Sequence, residues 1–273
     1  MREYTECYVA FLDILGFKNL IDKANFEEIH EIFKAITNFK PNQLTKKTNV
    51  YSEIKVTVMS DSIIVYIDAS ITDGFIALAD VCSQIQFNLL NRATPIFLRG
   101  GIAKGTLYHD GNILFGQGLT KAYTFENSLA VYPRIIFTEE TREQALKNTD
   151  YLYIFDYNSG YYSMDNDGVY YINCFQTFNF IPIYKPVNVE EILSFENNFF
   201  EKIYCYVNSV LSKEINPSIR AKYLWLKRKI CEQIECMPEV KKYFDEIEKE
   251  KRETSIKRFD DALKRGAERN GNK

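Results

Sequence analysis

Histidine occurs only twice in the 273 residues, and the six cysteines include no C-x-x-C pair and no Cys/His grouping with the spacing of a zinc site. Cys7, Cys82, Cys174, Cys205, Cys231 and Cys236 lie in apolar or helical stretches and read as reduced core residues of a cytosolic protein. His30 falls on a helix and His109 in a turn, an arrangement unsuited to nucleophilic or general-base catalysis. A strong charge of either sign is also missing. The net charge of -3, with basic and acidic residues mixed along the chain, argues against general binding to nucleic acid or an acidic membrane surface. No apolar run reaches membrane-spanning length, and MREYTE enters a strand without a cationic leader, so a cytoplasmic protein is expected. Internal repeats and low-complexity blocks are absent. What is present is an apolar content of 46%, enough for a substantial core in one large domain, or in one domain with an appendage.

CYVAFLDILGF, residues 7–17, is apolar almost throughout and predicts a buried strand over 7–13 that ends in a glycine turn. FEEIHEIFKAITNF places Phe26, Ile29, Ile32, Phe33 and Ile36 at helical spacing before a Lys40-Pro41-Asn42 stop. VYSEIKVT (50–57) and SIIVYID (62–68) predict a hairpin whose tip is Ser60-Asp61. A helix opened by Thr72-Asp73-Gly74 runs to about Arg92, and a strand over 96–103 leads to a turn at His109-Asp110-Gly111. Then come a helix over 117–129, a strand over 134–137, a helix from Thr138 and a strand over 151–156. Aromatic runs flanking Asn166-Asp167-Gly168 predict a last hairpin over 161–172. This order predicts an α+β fold, a ferredoxin-like βαββαβ core with helices on one face and extra β-hairpins, over residues 5–180. Beyond Pro182 and Pro186 the composition turns helical, predicting a C-terminal helical extension over 187–265 and a solvated charged tail over 266–273.

Side chains alternate along a strand, so Phe11 and Asp13 share a face at the end of the first strand. Leu15, Gly16 and Phe17 then turn into a short helix, where backbone N–H groups can meet phosphate oxygens. In a ferredoxin-like sheet the tip carrying Asp61 lies beside that strand end. Hard divalent ions prefer carboxylate and carbonyl oxygen, so Asp13, Asp61 and the Ile14 carbonyl make a floor for two metal ions. The plainer alternative is that Asp13 caps the following turn and Asp61 is only a hairpin residue. Phe11 and Tyr51 are either core aromatics or contacts for a base.

The segments FLDILGF, MSDSIIVY, LRGGIAKG, FGQGLTKAYTFE and PRIIFT, in this order, resemble the catalytic core of class III nucleotidyl cyclases over roughly residues 5–175. The resemblance implies a homodimer with sites between subunits, in which Asp13 and Asp61 hold two Mg²⁺ or Mn²⁺ ions. The ribose 3'-hydroxyl would attack the α-phosphate and pyrophosphate would leave.

Departures from the family pattern are specific. Where purine cyclases carry a base-selecting lysine this chain has Thr57, and the companion polar position is Ile113. The helical Asn and Arg that orient ribose and stabilise the transition state align with Thr120 and Thr124. Phosphate charge still needs cations, and Arg99, Lys104, Lys121 and Arg134 are the candidates. Arg99 serves either that role or a salt bridge. With the DILGF start, the RGGI strand and the Asp165-Asn166-Asp167-Gly168 hairpin, the chain looks most like the pyrimidine cyclases of the bacterial Pycsar antiphage system. That resemblance implies UTP or CTP as substrate, cyclic UMP or cyclic CMP as product, and a separate effector protein activated by the cyclic nucleotide. A cyclase-like module that binds nucleotide without turnover is the alternative.

Overall fold

Strand β1, Thr5–Ile14, is covered on both faces, which accounts for its unbroken apolar run. The computed structural model describes residues 4–37, 49–149, 162–175 and 189–271. In it β1 pairs antiparallel with β3 (Ser62–Asp68) and with β4 (Leu98–Asp110). Strand β2 (Lys55–Met59) borders β3, while β6 (Ile135–Phe137) runs parallel to β4. The hairpin of β7 (Tyr162–Met164) and β8 (Tyr170–Ile172) completes the order β2-β3-β1-β4-β6-β8-β7, with β5 (Ile113–Phe115) folded back on β4. The helices are α1 (Phe17–Lys23), α2 (Phe26–Thr37), α3 (Gly74–Leu90), α4 (Gln117–Ser128) and α5 (Glu139–Leu146). Three more follow, α6 (Val189–Lys213), α7 (Pro217–Glu235) and α8 (Pro238–Gly271). The α+β fold and its ferredoxin-like core are therefore as the sequence predicts. The predicted strand over 151–156 and the stop at Lys40-Pro41-Asn42 lie outside the described residues.

The expectation of helices on one face needs correction. Tyr8, Ala10, Leu12 and Ile14 of β1 pack with α2 and α3, whereas Cys7 and Val9 face the other way, toward Ala122 of α4. Glycine explains how α4 comes so close. A Cβ on Gly101 would lie 2.5 Å from the Ala122 carbonyl, and one on Gly105 would lie 2.7 Å from the Gly118 amide. Two bare positions on β4 thus let helix backbone rest on strand backbone. The predicted strand over 50–57 is also shorter than expected. Asn49–Glu53 forms a 3-10 turn, because Tyr51 points into the core and its hydroxyl donates to Asp80 Oδ2 at 2.5 Å.

The extension is part of the core. Phe199, Phe200, Trp225 and Ile230 share one apolar cluster with Phe97, Ile136 and Tyr171. At its polar centre is Asp165 in the β7–β8 turn. Its carboxylate accepts from Trp225 Nε1 (2.6 Å), Arg134 Nη1 (2.7 Å) and Arg228 Nη2 (3.2 Å), with Lys229 Nζ at 3.1 Å. Burial alone would raise its pKa, but the hydrogen bonds from Trp225, the Asn166 amide and Lys229 win and hold the carboxyl below its usual range. Helix α8 continues through Gly271, anchored near its start by Val240 and Phe244 in the same cluster.

Both contacts predict stability losses readable by urea denaturation. Gly105→Ala should cost ~1–3 kcal/mol by forcing α4 off β4, and an unchanged midpoint would contradict that contact. Asp165→Ala removes the buried carboxylate shared by Arg134 and Lys229, leaving them only the more exposed Asp167 and Glu232, and should cost about 3–5 kcal/mol.

Candidate functional site

Asp13 sits at the end of β1, opposite Ser62 on one side and Arg99 on the other. The β2–β3 turn brings Asp61 to the same corner, where the Ile14 amide donates to the Asp61 carbonyl at 3.0 Å. Ser60, with φ of 59°, supplies the left-handed residue that makes this turn tight. The Leu15 amide in turn donates to the Phe97 carbonyl at 2.9 Å, and Gly16 takes φ of 76°, so the chain reverses within two residues before α1. Leu15 and Phe17 both turn their side chains into apolar clusters, Phe17 packing edge-on against Phe33. They act as anchors, leaving the backbone of the turn as the part able to meet a ligand. Space around Gly16 is open.

Arg99 bridges two acids. Its Nε lies 3.2 Å from Asp13 Oδ2 and 2.6 Å from Glu126 Oε1. Glu126, 3% exposed on the sheet-facing side of α4, was not singled out by the sequence. A signal for it exists, since Gly118, Ala122 and Glu126 recur every four residues as the buried stripe of α4. Its Oε1 is close to Arg99 yet receives no aligned hydrogen bond, so charge rather than geometry holds the pair.

Burial raises the Asp13 pKa; Arg99 opposes the rise, the charge of Asp61 adds to it, and Lys222 on α7 opposes it again. Glu126 is raised for the same reasons, with burial first, Arg99 against it, and both Asp13 and Asp61 in favour. Asp13, Asp61 and Glu126 therefore form one electrostatically coupled group.

Other predicted residues are sorted cleanly. Phe11 is half-buried and packs edge-on against Tyr123 at 5.3 Å. By register it shares its face with Ile64 and Thr57 two strands away, so Phe11, Thr57 and Asp13 line one surface. Tyr51 is excluded as a base contact, because the interior bond to Asp80 places it in the core below the opposite face. Arg134 is excluded as a phosphate cation, since Asp165 and Asp167 clamp it. Lys104 pairs with Glu6 at 3.2 Å, five residues up β4 from Arg99, and Lys121 is exposed on α4. The hydroxyls of Thr120 and Thr124 bond the carbonyls of Gly116 and Thr120 within their own helix. His109 bonds Tyr66 and the Gly111 carbonyl, and His30 stacks on Phe26.

Among the described residues no group of three or more His, Cys, Asp or Glu is arranged to hold a metal ion, and none of their helices is long and apolar enough to cross a membrane. Two aspartates and a backbone carbonyl are nevertheless the kind of oxygen donors a hard cation takes.

No family model and no curated protein matches the chain. Among solved structures it is similar to the catalytic core of a rhodopsin-guanylyl cyclase with converted specificity in complex with ATPalphaS. That match has 15% identity and a TM-score of 0.42 and covers 62% of this chain and 96% of that one. A bacterial light-regulated adenylyl cyclase matches at 16% identity and a TM-score of 0.38, over 66% of this chain and 95% of the other. An adenylate/guanylate cyclase/hydrolase from Silicibacter pomeroyi matches at 15% identity and a TM-score of 0.36, over 54% and 84%.

The raised pKa values set a sign. Ionised Asp13 and Glu126 oppose folding at neutral pH, and this opposition fades as pH falls through their folded pKa values toward the ordinary carboxylate range. Asp13→Asn should therefore raise the melting temperature of the metal-free protein at neutral pH, by ~2 °C or more. Scanning fluorimetry across pH would show the difference shrinking on the acid side, and a lower melting temperature for the variant would contradict the assignment.

Proposed function

We propose that the protein is a pyrimidine nucleotide cyclase, converting UTP to 3',5'-cyclic UMP and pyrophosphate as the signal-producing enzyme of an antiphage defence system. The observation that carries this reading is the meeting of Asp13 and Asp61 at one end of the sheet, beside an open glycine turn. In this reading Asp13, Asp61 and the Ile14 carbonyl hold two Mn²⁺ or Mg²⁺ ions. Bound there, the ions would polarise phosphate oxygens and favour loss of the 3'-hydroxyl proton. Arg99, held between Asp13 and Glu126, keeps positive charge fixed where the phosphates enter and needs little rearrangement as charge develops. The turn offers the backbone N–H groups of Gly16 and Phe17 to the same phosphates, the Leu15 N–H being held by Phe97. Phe11 and Thr57 lie on the surface where the base or ribose would rest. A base site without the lysine of purine cyclases at Thr57, and with Ile113 exposed, supports a pyrimidine. The functional unit is a homodimer with sites between subunits, and its product acts on a separate effector.

Cytidylate cyclase activity, yielding cyclic CMP, is the alternative within the same chemistry. A nucleotide-binding module without turnover is the second reading, favoured by one observation. Thr120 and Thr124 spend their hydroxyls on their own helix and offer no transition-state cation.

Incubation of the purified protein with each of the four nucleoside triphosphates and Mn²⁺, followed by product chromatography, separates these readings. Cyclic UMP is the expected product. Cyclic CMP would move the assignment to cytidine, cyclic AMP or GMP would overturn the pyrimidine reading, and no product would favour the binding module. Asp13→Ala and Asp61→Ala should each lower turnover by about a hundredfold or more while leaving a folded dimer. Retained turnover in either variant would remove that residue from the site.

A further inference from the structure

We propose that Lys222, on helix α7 of the C-terminal extension, is a phosphate-binding cation of the Asp13–Asp61 site. The proposal rests on the cyclase reading for its substrate class, a nucleoside triphosphate, and adds a site residue from outside the core that the sequence resemblance covers.

The position of α7 carries the inference. Tyr223, the next residue, packs its ring edge-on against Phe97 at 5.8 Å. Phe97 offers its carbonyl to the Leu15 amide, two residues beyond Asp13, and Leu15 and Tyr223 belong to the same apolar cluster. One turn of α7 is thus fastened to the chain reversal that ends β1. Lys222 is half-buried there, and its charge acts on both Asp13 and Glu126. It makes no hydrogen bond or close ion pair with any described residue. A lysine partly withdrawn from water, its charge felt by Asp13 and Glu126 yet bonded to neither, stands apart from those carboxylates by more than an ion-pair distance. A phosphate chain carrying its metal ions fills such a gap with charges in the favourable order, carboxylate, metal, phosphate, ammonium.

Of the other candidate cations Lys121 is exposed on α4 and the rest are committed. Arg99 is taken up by Asp13 and Glu126, Arg134 by Asp165 and Asp167, and Lys104 by Glu6. Charge balance points the same way. Two divalent ions would offset the three acids, but a triphosphate brings several negative charges of its own, so beside it a further fixed cation is favourable. Lys222 supplies it, from a helix whose placement depends on Trp225 and Lys229 bonding Asp165.

The test uses the full chain and measures binding of inorganic tripolyphosphate in the presence of Ca²⁺ by calorimetry, together with KM and kcat for the preferred triphosphate. Lys222→Ala should weaken tripolyphosphate binding roughly tenfold and raise KM by a similar factor, with Lys222→Arg restoring most of both. Lys227→Ala is the control on the same helix, because Lys227 lies 5.4 Å from the Tyr204 ring centroid; it should bind tripolyphosphate like the wild type. If alanine at position 222 lowers the melting temperature, Lys222→Gln replaces it. Unchanged affinity in the folded Ala or Gln variant overturns the proposal, as does a wild type that fails to bind tripolyphosphate. If binding depends on Lys222 but no cyclic nucleotide forms, the cation holds and the cyclase reading falls. If the wild type cyclises and the variant does so with unchanged KM, the cyclase reading holds and Lys222 drops out.

Discussion

Close contact between β4 and α4 determines much of what this molecule can do. Strands ordinarily keep helices at the distance set by their side chains, but Gly101 and Gly105 let α4 settle onto the second face of the sheet at backbone contact. That approach puts Glu126 within reach of Arg99. Glu126 then restrains Arg99 from one side while Asp13 restrains it from the other. A helix standing farther off would leave Arg99 free to collapse onto Asp13 alone.

The resulting corner is crowded with negative charge in a place where water is scarce. Asp13 and Glu126 are pushed toward their protonated forms chiefly by burial, and each is disfavoured further by its acidic neighbours. Such an arrangement costs the fold stability that neutral residues at these positions would keep.

Residues 7–17 disclosed the central strand, its face alternation and the carboxylate at its end, because period and polarity are local properties. The βαββαβ order, the Asn-Asp-Gly hairpin and the amphipathic α2 were legible for the same reason. Tyr51 was misjudged because an aromatic in a β-rich run carries no mark of which way it turns, and only the long-range bond to Asp80 decides. Arg134 likewise looked available until Asp165 and Asp167 came to meet it from thirty residues downstream. Glu126 left a trace in the spacing of α4 and Lys222 left none, since its nearness to Asp13 arises only from the docking of a distant helix.

The Asp165 hub bears on how such a chain can change over evolutionary time. One carboxylate in the β7–β8 turn satisfies an indole, a lysine and an arginine from α7 as well as Arg134 beside β6. A cassette of C-terminal helices borrowed from another protein would arrive without Trp225 and Lys229, leaving Arg134 as the buried partner that Asp165 retains. A change on either side of that contact, at Asp165 or at Trp225 and Lys229, therefore falls on the core and the extension together.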